Sequence, residues 1–410
     1  MATAKAMAPS VASRSWQPLV TERAERDRVI AELGRLADAL ARVEVDDAPL
    51  RAEVALALHY AEEVLPERGY RDAAMAQLSQ AIDASSTAPS LALYGGVAGL
   101  AWVVEHLTEP EASQSEEDLN EEVDAFFLQA LGAPPWRGHF DLISGLCGLG
   151  VYALERGARP TGVELRRRVL ERLAELAEPS ADGLAFAKPH GLRRPDRDLD
   201  FRRDLGMAHG LSGVIAFLSL VGESSGTVER LLIEALRFLT TRGKSPDGGF
   251  GYAHDAHQNA RVAWCYGDLG IACALWLAAL RLGEPRIRDE AVAAALRAAA
   301  RPYADTGIVD ASLCHGTAGA AHLFNVLWQS LGARPLREAA HRSVTSLLER
   351  ARPSERLGDD RTFDARTNRW EPTHSFLMGS AGIALTLTAA ISERPPDWDR
   401  LLLLSGRATP

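Results

Sequence analysis

The sequence predicts an all-α protein in which inner and outer helices alternate and close into a ring, an α/α toroid. Three observations carry this expectation. A Gly-x-x-Gly pattern recurs with its first glycine at 96, 145, 210, 267, 316 and 379, at intervals of 49, 65, 57, 49 and 63 residues. Each interval opens on an apolar, small-residue stretch and continues into a charged, amphipathic one, as expected where an apolar inner helix is covered by a second helix on its outside. Strand signals are nearly absent, with Gly183 to Phe186 the best of them and weak.

The elements follow in order. Met1 to Ser15 is rich in Ala and Ser and lacks the apolar stretch of a signal peptide, so residues 1–20 read as a disordered arm ahead of a single toroid domain over 21–405. Thr21 to Val43 predicts a helix, because Val29, Ile30, Leu33, Leu36 and Leu40 recur at spacings of three and four. Ala52 to Leu65 predicts a second and Tyr70 to Ile82 a third. The acidic run from Glu109 to Asp124 reads as a solvated face that leads into a helix ending near Leu131. Val163 to Ala177 and Val228 to Thr241 are the charged partners of the inner helices that precede them. Pro179 to Arg203 mixes Gly, Pro and charge without a period and predicts an irregular insertion, a candidate lid or binding loop. Glycine at the start of each inner helix permits a tight turn and close packing.

Bulk composition excludes several classes. A chain of 410 residues that is 47% hydrophobic can bury a large core. Its formal charge of −10 argues against a nucleic-acid surface. No apolar run approaches the roughly 18 residues of a membrane span. Four cysteines over this length are no disulfide framework and fit a reducing cytoplasm.

The residues just before the glycines change from copy to copy. Cys265 and Cys314 stand two positions before the first glycine, His315 and His209 one before it, and Asp141 four before it. Other copies carry Leu93 and Tyr94, Ile143 and Ser144, or Leu377 and Met378 there, so polar groups are not a scaffold requirement. Equivalent repeats would bring all five polar residues to one mouth of the ring. Two thiolates and one imidazole form a set that zinc accepts tetrahedrally, with the fourth position open as in catalytic sites. Small buried cysteines are the ordinary alternative, and Cys147 and Cys273, inside helices, are read that way. For Cys265 and Cys314, the shared register and the adjacent His315 outweigh it. Such a sulfur-rich ion is a poor generator of hydroxide but suits a third sulfur ligand, and a zinc-bound thiol is deprotonated. The implied chemistry is thiol activation. Attack on an activated alkene would need a proton donor for carbon, which suits His209 with Asp141 to orient it, and a group for the enolate oxygen, which suits Arg261. A helix cap or a salt bridge is the alternative for Asp141 and Arg261. Tyr266 either packs or lines the mouth, and His254 with His257 reads as a surface pair whose alternative is a rival metal site.

Phe140-Asp141-Leu142-Ile143-Ser144-Gly145, Gly206-Met207-Ala208-His209-Gly210, Arg261 with Trp264-Cys265-Tyr266-Gly267, Leu313-Cys314-His315-Gly316, and Ser375 to Leu385 together resemble the lanthionine synthetase C family, the lanthipeptide cyclases. The similarity spans about residues 90–392, and the pairing of Trp-Cys-Tyr-Gly with Cys-His-Gly is its specific part. The resemblance implies seven inner and seven outer helices, so one inner helix, taken as Ala52 to Leu65, lacks the glycine pair. It implies one zinc ion on Cys265, Cys314 and His315, with His209, Asp141 and Arg261 on the remaining active-site positions, and Tyr266 beside Cys265 is taken as a further catalytic candidate. It also implies addition of peptide cysteine to dehydroalanine or dehydrobutyrine, giving lanthionine or methyllanthionine rings. Met378 stands where family members often carry an acidic residue. The expected partners are a dehydrated precursor peptide of leader and core, a separate dehydratase and a transporter, with a free-standing cyclase in the cytoplasm or at a membrane-associated biosynthetic complex. Three alternatives stay open: a relative that adds glutathione to dehydrated residues, a zinc-dependent prenyltransferase on a similar toroid, and a non-catalytic helical scaffold with structural zinc.

Overall fold

Seven inner helices follow one another around a closed ring in the computed structural model, which describes residues 16–85, 90–108, 118–132, 134–187, 203–222, 225–254, 260–350, 361–364 and 369–406. They are α2 (Ala48–Val64), α4 (Val97–Leu107), α6 (Leu146–Glu155), α8 (Leu211–Leu220), α10 (Asp268–Leu282), α12 (Thr317–Leu331) and α14 (Ser380–Ile391). Each packs on the next, and α14 packs back on α2. The outer helices are α1 (Arg23–Ala41), α3 (Tyr70–Asp83), α5 (Glu121–Gly132), α7 (Pro160–Leu176), α9 (Gly226–Arg242), α11 (Pro285–Ala300) and α13 (Arg334–Arg350). The expected all-α toroid is therefore the observed fold, and the inner helix without the glycine pair is α2.

Composition separates the two layers. Every residue of α14 is buried, as is nearly all of α8, because an inner helix faces neighbours on all sides. In α7 only Gly162, Leu165, Val169, Leu170, Arg172 and Leu173 are buried, and most of the other positions are charged: Glu164, Arg166, Arg167, Arg168, Glu171 and Glu175. The seam of the ring is closed out of sequence order, with the first outer helix, α1, covering the last inner helix, α14. The residues just before α1 take part. Trp16 Nε1 donates to the Ala389 carbonyl, and the Leu19 and Val20 amides donate to Ala390. Residues 16–20 thus belong to the folded body, which moves the expected boundary of the arm; residues 1–15 lie outside the described residues.

Two short antiparallel hairpins decorate the helices. Strands β1 (Ala177–Ser180) and β2 (Gly183–Phe186) pair just after α7, and β3 (Arg361–Asp364) pairs with β4 (Arg369–Pro372) before α14. The weak strand signal at 183–186 is real, and it replaces irregular chain at the start of the expected insertion; residues 188–202 of that insertion lie outside the described residues. β3 and β4 were not legible in the sequence. Among the described residues no helix is long and apolar enough to cross a membrane.

The C-terminal segment enters the ring. Trp398 and Leu401 to Leu404 are buried. The Leu401 carbonyl accepts from Tyr94 Oη at 2.7 Å and the Leu402 carbonyl from Trp264 Nε1 at 3.0 Å. Asp399 meets His322 of α12 at 3.2 Å, and Arg400 reaches Glu155 of α6 at 2.9 Å. A segment that touches α6, α12 and the loops ahead of α4 and α10 occupies the interior of the ring and braces those loops from inside.

Candidate active site

The site is built on the loops that lead into the inner helices. None of the six glycine-led inner helices has a side-chain cap on its first turn. Its orphan amides are satisfied instead by the loop's own backbone. In the loop before α12, Thr317 donates to the Asp310 carbonyl, Ala318 to Ala311 and Gly319 to Ser312; the loop before α8 repeats this with Leu211 to Asp204 and Ser212 to Leu205. The second glycine exists for this fold-back. A Cβ on Gly319 would lie 2.1 Å from the Leu313 carbonyl oxygen, and the equivalent contact at Gly270 is 2.1 Å to Trp264. At Gly267 the first glycine is needed twice, for its φ of +90° and for a Cβ that would sit 2.0 Å from the Arg261 carbonyl. The glycines therefore serve close approach of each helix to its own loop.

Adjacent loops are joined in series by backbone hydrogen bonds. Leu93 donates to Ile143, Leu142 to Ala208, Met207 to Cys265, Cys265 to Cys314 and Cys314 to Leu377, with lengths of 2.9 to 3.3 Å. All six loops thus lie at one mouth. The acceptor is the residue two before the first glycine each time, so the backbone of Cys265 and Cys314 is fixed on both sides.

This series places the sequence-predicted residues on one arc. Asp141 comes from the loop before α6, His209 from that before α8, Arg261, Cys265 and Tyr266 from that before α10, and Cys314 and His315 from that before α12. The donor atoms of Cys265, Cys314 and His315 lie within 4.8 Å of one another. A tetrahedral zinc with bonds of ~2.3 Å to sulfur and ~2.0 Å to nitrogen needs donors about 3.5–3.8 Å apart, so side-chain adjustments of about an ångström would let all three reach one ion. The chemistry of the set fits zinc as well. The Cys314 thiol donates to Cys265; this bond, His315 and the charge of Arg261 together overcome burial and hold Cys265 far below an ordinary thiol, while the same bond and burial push Cys314 well up. His315 is raised to about 9, since Asp310 and Cys265 outweigh the effect of burial.

His209 Nδ1 lies 2.7 Å from Asp141 Oδ2, and Asp141 Oδ1 accepts the Ser144 amide at 2.9 Å. Burial acts to raise Asp141, but the hydrogen bond and charge of His209, with the Ser144 amide, prevail and hold the carboxyl below its ordinary value. With Nδ1 engaged by a buried carboxylate, Nε2 is the nitrogen His209 can offer to a substrate, and its side chain is 40% exposed. Arg261 is half-buried, with Nε 3.5 Å from Tyr252 Oη. Tyr266 donates its hydroxyl to Asp204 at 2.7 Å and packs its ring against Tyr252 at 5.2 Å. Cys147 and Cys273 are buried inside α6 and α10, away from the ligand set, and burial raises both thiols. His254 packs its ring near Phe238, and His257 lies outside the described residues.

Two residues at the site were missed by sequence reasoning. Asp310 lies 3.3 Å from His315 Nε2, which leaves Nδ1 for an ion, and Asp204 anchors Tyr266. A signal was present: both stand six positions before the first glycine, where Ser90 and Thr373 also stand. Each of the four opens its loop by accepting, through its side chain, the amide two residues on. Arg261 occupies the same position and cannot make that turn, which marks it as serving something other than the loop.

Comparison with known proteins agrees with this architecture. The family model described as lanthionine synthetase C-like protein matches residues 51–403. Among solved structures the chain is similar to nisin cyclase, at 20% sequence identity and a TM-score of 0.68, with 93% of this chain and 97% of that one covered.

Proposed function

The chain belongs to the lanthionine synthetase C-like family, and from that premise we propose that it is a zinc-dependent lanthipeptide cyclase. It adds cysteine thiols of a dehydrated precursor peptide to dehydroalanine or dehydrobutyrine and so forms lanthionine or methyllanthionine thioethers. The observation that supports this best is the convergence of Cys265, Cys314 and His315 within 4.8 Å, in loops joined by a backbone hydrogen bond to the loop that carries His209.

Cys265, Cys314 and His315 would hold the zinc ion, which supplies a Lewis acid that keeps an incoming peptide thiol in its nucleophilic, deprotonated form. Asp310 keeps the His315 ring turned toward the two sulfurs. As the substrate sulfur bonds to Cβ of the dehydro residue, the alkene electron pair moves toward Cα and its carbonyl oxygen. Arg261 offers its guanidinium to that oxygen. His209, positioned by Asp141, delivers a proton to Cα from Nε2. The thiol loses one proton and Cα gains one, so the addition is balanced. Tyr266, its hydroxyl engaged by Asp204, serves as a fixed aromatic wall of the mouth.

The test is incubation with a dehydrated, cysteine-containing peptide, followed by alkylation and mass spectrometry to count free thiols. Wild type is expected to consume thiols and Cys265→Ala to leave them at the uncatalysed rate. Equal consumption by the two refutes the reading.

A further inference from the structure

The series of loop-to-loop hydrogen bonds has six loops, yet the ring has seven inner helices. The gap falls at α2, which has no glycine-led loop: its N-cap is Asp47, which accepts the Leu50 amide. On one side of the gap lies the loop before α14, on the other the loop before α4. Among the described residues no loop carbonyl accepts the amide of Phe376, which corresponds to the donors Leu93, Leu142 and Met207, each three before its first glycine.

Glu53, on the second turn of α2, fills that position. Its Oε2 accepts the Phe376 amide at 2.8 Å. The Gly95 backbone, from the loop on the other side, lies against the same carboxylate and acts to lower its pKa. Gly95 lies at φ +72°, a conformation that favours glycine. With the stacked rings of Tyr94 and Phe376, Glu53 thus bridges two loops that no backbone hydrogen bond joins among the described residues. We infer that Glu53 is a positioning residue of the active site: it closes the hydrogen-bonded circle of mouth loops and thereby fixes the Cys314 loop against the Cys265 loop. The path is short. Phe376 is held by Glu53, its neighbour Leu377 accepts the Cys314 amide at 2.9 Å, and the Cys314 carbonyl accepts the Cys265 amide at 3.3 Å. Burial, opposed by the Phe376 amide and reinforced by Asp47, raises Glu53 to about 7, so the chain keeps an acid where its charge is disfavoured. That is expected of a group held for its two acceptor oxygens and not for solubility.

The inference rests on the ligand set proposed above, so its test has one readout that needs the metal and one that does not. Glu53→Met keeps the length of the side chain and removes both acceptors, in a site lined by Pro49, Tyr94 and Phe376. Glu53→Gln retains one acceptor oxygen. In hydrogen exchange by mass spectrometry, Glu53→Met is expected to lose protection in segments 373–379 and 310–316 while α7, α9 and α11 stay unchanged. In titration with cobalt(II) as the metal probe, Glu53→Met is expected to bind about 10-fold more weakly or worse, with altered sulfur-to-cobalt bands, as removal of outer-shell partners does elsewhere. Glu53→Gln should fall between it and wild type in both readouts. Unchanged exchange and an unchanged cobalt spectrum in Glu53→Met overturn the inference. Lost protection with intact cobalt binding overturns its second half alone. If wild type shows no sulfur-to-cobalt bands, the ligand set itself is wrong, while the exchange result still decides whether Glu53 closes the circle. Should Glu53→Met not fold, Glu53→Ala, which leaves space for water, takes its place under the same criteria.

Discussion

Replacing Glu53 by Gln should stabilise the fold at pH 8 and leave it nearly unchanged at pH 4. The carboxyl is raised from 4.5 to about 7 in the folded chain. A raised carboxyl favours the fold in its protonated form, so that stabilisation is complete below about 4.5 and is lost as the pH rises through about 7. The shift of roughly 2.5 corresponds to about 3 kcal/mol at ~1.4 kcal/mol per pKa unit. Gln does not titrate, keeps one acceptor for Phe376 and forgoes one charge-assisted bond, so a net gain of about 2 kcal/mol above pH 7.5 is expected. The assay is denaturant unfolding of both proteins at half-unit steps from pH 4 to 8.5, at constant ionic strength. The stability difference should open between pH 4.5 and 7 and then level off. A difference that is constant over the range, or that favours wild type at pH 8, would refute the placement of a desolvated, ionisable acid between the two loops.

Three further outcomes follow. Asp141→Asn and His209→Asn should each slow thioether formation by about 10²–10³-fold while bound metal, measured by elemental analysis, stays at the wild-type level; and because Asp141 is held below its ordinary value, the Asp141→Asn deficit should be the same at pH 6 and pH 8. Trp398→Ala should lower unfolding stability by about 3–5 kcal/mol, since this fully buried indole packs on His322 at 4.4 Å and on Phe376 at 5.8 Å; a loss under about 1 kcal/mol would show that the C-terminal segment is not part of the core. Gly319→Ala, whose Cβ would meet the Leu313 carbonyl at 2.1 Å, should cost about 3 kcal/mol or more and weaken metal binding by shifting the adjacent Cys314.

The ring was legible because its repeat is written in residues that the backbone requires. A Cβ at either glycine of the pair would collide with the loop, so the pair survives wherever the loop does, and its period exposes the architecture. Outer helices such as α7 and α9 were legible from their charged faces, with ends within a few residues of those expected. Helix α2 was legible as the inner helix without the glycine pair, but what replaces its loop was not, since that bond runs from Glu53 to Phe376, 323 positions apart. Asp310 and Asp204 stayed hidden for a related reason. An Asp before a loop is common, and only the contacts to His315 and Tyr266 give these two a role at the site. The hairpin of β3 and β4 is too short for a period-2 pattern to stand out.

The same economy explains why this fold can hold a site of soft ligands at all. A helix start usually draws on a Ser, Thr, Asp or Asn side chain to satisfy its first amides, which would claim the positions nearest the mouth. Here the loop backbone takes over that duty, and the side chains one and two positions before the first glycine owe nothing to the helix. They are Cys314 and His315 before α12 and Leu377 and Met378 before α14, on loops hydrogen-bonded side by side. Polar chemistry can therefore crowd onto the arc from α6 to α12 while the other arc stays apolar, with no change to the scaffold between them. The exception is the helix that lacks the loop. There a side chain must do what backbone does elsewhere, and the residue that does it, Glu53, is a carboxylic acid buried at the mouth.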